Sequence, residues 1–279
     1  MRLITIDAEK CKRDALCVRE CPTAIIKLKD KESLPQVVKG GEDFCLRCGH
    51  CVAVCPHGAL DHVDVPLAAC PSIEKAAPLT PEQVVPFLRS RRSVRFFKDR
   101  AVEPEILRQV IEAARYAPTG SNSQLVEYTV FTDKEKINQL AGLTVDWMKY
   151  MQKKYPGEPT AAYMPMIIAA WKMGFDSVLR SAPGLIVASA PREYKNGMVD
   201  ISIALAYLEL AAMPLGLGTC WAGLLQGAML SWDPLKEAVG LPEGHGHHYP
   251  MMIGYAKPKY YRLPERKPPK IYFKGGKPA

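Results

Sequence analysis

Cysteine all but disappears from this 279-residue chain after its first quarter: nine are present, and beyond Cys70 only Cys220 remains. That distribution excludes a disulfide scaffold running through the molecule. Long uninterrupted apolar runs are also lacking. The opening Arg2-Leu3-Ile4-Thr5-Ile6-Asp7 offers neither the apolar stretch nor the small-residue cleavage site of a signal peptide. The longest apolar run, Ile201 to Leu225, carries Glu209 and contains Pro214, Gly216 and Gly218, which suits a buried helix followed by a turn better than a membrane span. A cytoplasmic protein without a membrane partner is expected. A dinucleotide fingerprint is missing as well, because Gly216-x-Gly218 has no third glycine at the required spacing and no strand-turn-helix with a downstream acid.

What is present is concentrated. The composition is 48% hydrophobic and 24% charged, enough for a small and a larger domain. Seven cysteines lie between Cys11 and Cys55 with metal-ligand spacing. Shifting the sequence by about 34 residues superposes Cys11 on Cys45, Cys17 on Cys51, Cys21 on Cys55 and Pro22 on Pro56, while Asp14 falls on Cys48. The second copy, Cys45-x2-Cys48-x2-Cys51-x3-Cys55-Pro56, is a complete iron-sulfur run in which three cysteines bind one cluster and the fourth reaches another. A structural zinc site closes at four ligands and would leave thiolates over.

The first 65 residues or so therefore resemble a bacterial two-cluster ferredoxin. The resemblance assigns Cys45, Cys48, Cys51 and Cys21 to one 4Fe-4S cluster, and Cys11, Cys17 and Cys55 to the other, with Asp14 as a candidate fourth ligand. Carboxylate is a harder ligand than thiolate, so the second centre is either an aspartate-ligated 4Fe-4S cluster or a 3Fe-4S cluster. A solvated loop aspartate is the plainer alternative. The expected domains are residues 1–70, iron-sulfur; 71–86, linker; and 87–279, a larger domain of different chemistry.

That larger domain opens on a basic segment, Arg89, Arg91, Arg92, Arg95, Lys98 and Arg100, and ends on another between Lys257 and Lys277; the formal net charge is +8. A solvated charged face or a nucleic-acid surface would account for either segment alone. The detail of Arg91-Arg92-Ser93-Val94-Arg95-Phe96 concentrates forked guanidiniums and a hydroxyl suited to a phosphate monoester. It resembles the opening motif of the FMN-dependent nitroreductase family. Three further segments extend the resemblance over roughly residues 85 to 270. Glu103 to Ala117 reads as an amphipathic helix stopping at Pro118, before Pro118-Thr119-Gly120-Ser121-Asn122-Ser123-Gln124, which is similar to the family's flavin loop. Asp200 to Ala212 reads as an apolar helix leading to Trp221-Ala222-Gly223, similar to the segment whose amides face the flavin ring. Tyr255 to Pro268 resembles the terminal basic segment, with Arg266 and Lys267 toward the phosphate. Leu125-Val126 departs from the proline and aromatic residue that many relatives carry there.

The resemblance implies an α+β fold, in which a ferredoxin-like domain precedes a nitroreductase-like domain. It implies FMN held by Arg91, Arg92, Ser93, Arg95, Pro118, Thr119, Gly120, Asn122, Gln124, Trp221, Ala222, Gly223, Arg266 and Lys267, and a homodimer sharing two flavin sites. Electrons would pass between two clusters and FMN to a small acceptor such as a nitroaromatic or quinone, supplied by an external ferredoxin or NAD(P)H. No side chain is assigned as a catalytic acid or base, and no nucleic-acid partner is expected. An electron-transfer or redox-sensing flavoprotein is the second reading, and a nucleic-acid-binding protein with structural clusters the third. Elsewhere the plain readings stand: a polar loop at His245, His247 and His248; a buried thiol at Cys220; a linker thiol at Cys70; core or cavity wall at Met164, Met166 and Met173. Residues 133–177 are unassigned.

Overall fold

A computed structural model describes residues 2–73, 79–157 and 162–275. The chain divides into two compact units, one comprising Met1–Pro78 with Pro118–Gln124 and the other Leu79–Ala117 with Leu125–Ala279.

The 34-residue repeat is visible in the first unit. Strand β1 (Ile4–Ile6) leads to helix α1 (Leu16–Glu20), and strands β2 (Ile26–Lys27) and β3 (Gln36–Val37) form a short hairpin. Helix α2 (His50–Ala53) and strand β4 (Leu60–His62) follow, and β4 closes on β1 with Ile4 opposite His62. Helix α2 is the repeat of α1, and Leu60 of Ile26. These two residues are buried with Ile4, Ile25, Val52, Cys17 and Cys51 in one small core. A core of this size is thin for an independent unit, so bound clusters would contribute much of its stability.

The second unit begins with helix α3 (Pro81–Ser90), capped reciprocally by Thr80 and Gln83. The interval expected as a linker, 71–86, thus contains the first half of a helix; its residues 74–78 lie outside the described residues. Helix α4 (Pro104–Ala114) starts with proline at its first position and buries Leu107, Val110 and Ala114, the stripe its periodicity requires. Strand β5 (Glu127–Phe131) and helices α5 (Lys134–Lys154) and α6 (Met164–Lys172) follow. Next come strand β6 (Gly184–Pro191), helix α7 (Gly197–Ala212), strand β7 (Leu217–Trp221), helices α8 (Gly223–Met229) and α9 (Asp233–Val239), and strand β8 (His245–Tyr255). The four strands form one antiparallel sheet ordered β5-β6-β8-β7.

Both faces of this sheet are covered. Ile186, Ala188 and Ala190 of β6 face Ile201, Leu205 and Leu208 of α7 and Leu107 and Val110 of α4, whereas Leu185 and Val187 face Leu140 and Met148 of α5 and Leu225 of α8. That is the period-two alternation of a strand buried on both sides. Gly197–Leu215 is long and apolar enough to cross a membrane by length and composition. Its α7 part nevertheless buries Ile201, Leu205, Leu208 and Ala212 against the sheet, as a core helix does. Gly216, at φ 74°, then turns the chain into β7.

Two local expectations change, and one unassigned segment takes shape. The histidine segment is strand rather than loop: His245, His247 and His248 pair with Pro191, Ala190 and Ser189, with a register irregularity at Ala190/Pro191 that glycine-rich sequence disguises. Met164 is buried, but Met166 within α6 and Met173 just after it are 71% and 68% exposed. Residues 133–177 are largely α5 and α6, with Asp133 capping α5 through the Glu135 amide.

Candidate functional site

Seven of the first unit's eight cysteines, all but Cys70, line two separate cavities. One is bounded by Cys21, Cys45, Cys48, Cys51 and His62. The other is bounded by Cys11, Asp14, Cys17, Cys55 and His57. These are the two ligand sets implied by the ferredoxin resemblance, and each combines residues far apart in sequence: Cys21 joins the second copy and Cys55 the first. Left-handed Ala15 and Gly49 start α1 and α2, placing Cys17 and Cys51 on their inner sides. Among the described residues no three His, Cys, Asp or Glu side chains are grouped closely enough for a single metal ion. Thiols spaced around a cavity suit a multi-atom iron-sulfur group, with soft sulfur as the donor.

Burial raises the Cys17 thiol, helped by neighbouring Cys11, Cys55 and Asp14, and pushes Cys51 up to about 11. Iron binding must therefore displace protons from both. At Cys21, burial is outweighed by the Thr23 hydroxyl and the backbone amides of Ile25, Thr23 and Ile26, so this thiol is lowered. Asp14 accepts a hydrogen bond from the Leu16 amide at 3.1 Å through one oxygen, and the other stands 3.7 Å from His57 Nε2.

The segment Pro118–Gln124 belongs to this unit. Asn122 donates through Nδ2 to the carbonyls of Leu46 and Arg47, each at 3.1 Å, in the loop between Cys45 and Cys48. Ser121, Asn122 and Gln124 all have positive φ, a sparsely populated conformation for such residues. The turn is held by the Asn122 amide on the Thr119 carbonyl and the Gln124 amide on Thr119 Oγ1. Ser123 donates to Gly120 through its backbone amide.

In the second unit, Ser93 bridges to Thr219 beside β7, and the Val94 amide donates to the Thr219 carbonyl at 2.8 Å. Gly218 permits that approach: a Cβ there would meet Val94 at 2.4 Å. Behind this contact, the Cys220 thiol is raised by burial, against which the charges of Arg95, Arg180 and Arg91 and a hydrogen bond with Ser93 act in the opposite direction. Arg91, Arg92 and Arg266 also line a cavity with Arg89 and Glu265, and the buried Nη2 of Arg92 has no hydrogen-bond partner among the described residues. An unpaired guanidinium nitrogen at an arginine-lined cavity fits an anionic group such as the FMN phosphate. Arg95 lines a different cavity, with Lys98, Lys134 and Arg180, and Lys267 is exposed on the C-terminal segment.

Trp221 donates its indole N–H to Glu209 at 3.3 Å and meets Tyr249 edge-on at 4.9 Å. The Ala222 amide is committed to the Pro250 carbonyl at 2.9 Å, which leaves the Gly223 amide, at the start of α8, as the better candidate to face a flavin edge. Three residues escape sequence reasoning. Glu209 is a buried carboxylate that also receives Arg91 Nη1 at 3.3 Å and the Thr219 hydroxyl at 3.5 Å; its signal was a charge in the middle of an apolar helix. Arg180 lies three residues beyond the unassigned segment. His62 is the repeat partner of Leu28, a difference visible only once the two copies are superposed.

One unit with cysteines around two cavities, and another with an arginine-lined cavity and an antiparallel sheet covered by helices, suit a redox protein of ferredoxin-plus-flavoprotein type. The nitroreductase family matches residues 88–255 and the 4Fe-4S dicluster domain matches residues 3–56; the chain belongs to the nitroreductase family and is an oxidoreductase with an N-terminal ferredoxin domain. It is 30% identical over 169 residues to FMN reductase [NAD(P)H] of Bacillus subtilis, covering 58% of this chain and 61% of that protein. Over 59 residues it is 39% identical to a ferredoxin of Methanothermococcus thermolithotrophicus, covering 20% of this chain and 92% of the ferredoxin. In fold it is similar to a nitroreductase with bound FMN from Bacteroides fragilis, with TM-score 0.56 and 20% identity over 68% of this chain and 98% of that one.

Proposed function

We propose that the protein passes electrons between two iron-sulfur clusters and FMN, and from FMN to a small organic acceptor of the nitroaromatic or quinone class. The observation that carries this reading is the double hydrogen bond from Asn122 to the Leu46 and Arg47 carbonyls. It ties the segment similar to a flavin loop to the chain between two cluster cysteines. FMN, able to exchange one electron or two, would supply the conversion between one-electron cluster traffic and two-electron reduction of the acceptor.

The chain's own residues have defined tasks in this reading. Arg91, Arg92 and Arg266 hold the phosphate, Ser93 and Arg95 lie alongside, and Trp221, Ala222 and Gly223 shape the ring edge. Pro118, Thr119, Gly120, Asn122 and Gln124 complete the flavin site of a second copy in a two-fold dimer. Cys21, Cys45, Cys48 and Cys51 hold a 4Fe-4S cluster; Cys11, Cys17, Cys55 and Asp14 hold the other. External ferredoxin or NAD(P)H is the donor class, the latter in keeping with the similarity to an NAD(P)H-dependent FMN reductase.

The test is anaerobic turnover of a nitro compound by purified protein supplied with a chemical reductant, comparing the parent with Asn122→Ala. The variant should keep its iron and show slower flavin reduction through the clusters, measured per flavin bound. Parent protein that carries both cofactors but never reduces the nitro compound would refute the acceptor class. Equal flavin reduction rates in parent and variant would remove the role given to Asn122.

A further inference from the structure

We infer that His62 is a positioning residue that donates a hydrogen bond to Cys45 and raises the reduction potential of the iron-sulfur group held there. The donor raises the potential of this group relative to the same group without the imidazole. The inference rests on the proposed cluster assignment of the cysteines.

His62 ends β4 and is only 2% exposed. Its Nδ1 lies 3.0 Å from the Asp64 amide and its Nε2 lies 3.4 Å from Cys45 Sγ. A backbone N–H can only donate, so Nδ1 accepts and carries no proton. The proton of the neutral imidazole is therefore on Nε2, aimed at the Cys45 sulfur. The surrounding turn leaves little freedom to exchange these roles. Asp61 Oδ1 accepts from the amides of His62 at 2.9 Å and Leu67 at 2.7 Å, and Arg47 Nε pairs with Asp64 Oδ2 at 3.3 Å. The Arg47 amide also donates to Cys45 Sγ, at 3.4 Å.

A ligand sulfur that accepts N–H bonds passes less negative charge to its iron. Reduction adds one electron and no proton, so these donors favour the reduced form and raise the potential. The imidazole donor belongs to one half only, although in the other half the Ala59 amide donates to Cys55 Sγ at 3.3 Å. Shifted by the repeat, His62 falls on Leu28, which has no side-chain donor to offer the sulfur of Cys11. The two halves thus differ at this imidazole, fixed in its donor tautomer by a backbone amide, as well as at Asp14, which stands where the second copy has Cys48.

The experiment is an anaerobic dithionite titration of the full-length protein, followed by electron paramagnetic resonance, on the parent, His62→Leu and His62→Gln. In His62→Leu, one of the two cluster signals should need a poise lower by about 59 mV, a tenfold fall in its reduced-to-oxidised ratio for a one-electron couple, while the other signal stays in place. His62→Gln keeps an N–H donor and should remain near the parent. Unchanged potentials in His62→Leu, or equal shifts in both variants, would overturn the donor role. As a check that survives loss of iron from either variant, parent protein labelled with 15N-histidine should show a weak nitrogen coupling on one cluster signal. No coupling, or one as large as a directly bound nitrogen gives, would also overturn it. Neither readout uses turnover: shifted potentials without flavin reduction would sink the proposed function alone, and flavin reduction with unshifted potentials would sink this inference alone.

Discussion

Replacing Glu209 by leucine separates two opposed expectations for the arginine site. The carboxylate is buried on α7 and receives Arg91 Nη1 at 3.3 Å, Trp221 Nε1 at 3.3 Å and Thr219 Oγ1 at 3.5 Å. Leucine leaves the indole N–H and the guanidinium without their acceptor. Each such loss costs about 1–3 kcal/mol, and the Arg91 share belongs at the low end because its side chain is 25% exposed. A total of about 2–4 kcal/mol follows for the leucine variant, at about 2–4 °C in melting midpoint per kcal/mol for a domain of this size. Glu209→Gln keeps one acceptor oxygen and should lose about half as much. FMN affinity, measured by fluorescence on flavin-depleted protein, is the sharper assay. Simple charge counting says that deleting a carboxylate beside an anion site strengthens phosphate binding. If Glu209 instead holds Arg91 and Trp221 in place, the leucine variant should bind FMN more weakly, with glutamine intermediate. Tighter binding by Glu209→Leu would refute the positioning argument.

The other predictions are simpler. Arg91→Ala and Arg266→Ala should each release FMN while leaving iron content unchanged; full flavin occupancy in both would remove them from the phosphate site. Asp14→Ala should yield a 3Fe-4S signal from the start and Asp14→Cys should resist oxidative loss of iron, because thiolate is the softer ligand; an alanine variant that keeps its full iron and oxidises no faster than the parent shifts the ligand role to water or to nearby His57. Sedimentation should give a two-fold dimer whenever flavin is bound, and a flavin-replete monomer would contradict the shared site. His248, lowered chiefly by burial, contributes stability that is complete above its unfolded value of about 6.5 and is lost as pH falls through the depressed folded value. Thermal midpoints should therefore drop more between neutral and mildly acidic pH in the parent than in His248→Asn, and parallel curves would rule this out.

Much of the architecture was legible because it is written in periodicity and repetition. The 34-residue shift paired the two copies, the ferredoxin resemblance implied that Cys21 and Cys55 would each join the opposite set, and the stripe from Leu107 to Ala114 matched a helix face. Strand β8 was hidden because Gly244-His245-Gly246 reads as a turn, whereas pairing with β6 supplies the order that its own residues do not. The attachment of Pro118–Gln124 to the cysteine unit was also illegible: a side-chain amide bonded to two carbonyls 75 and 76 residues away leaves no local pattern. Glu209, Arg180 and His62 share that difficulty. Each is a single polar residue whose role depends on which atoms the fold brings to it, and His62 acquires meaning only against Leu28.

The central claim is that one chain joins cluster and flavin electron transfer, and a single anaerobic titration tests it directly. Protein purified without oxygen should contain the iron of two clusters, less one iron if Asp14 does not ligate, together with FMN stoichiometric with the chain. Dithionite equivalents should reduce both cofactors, and a nitroaromatic added afterwards should reoxidise both together. Clusters without flavin, or clusters that stay reduced while the flavin alone is reoxidised, would contradict it.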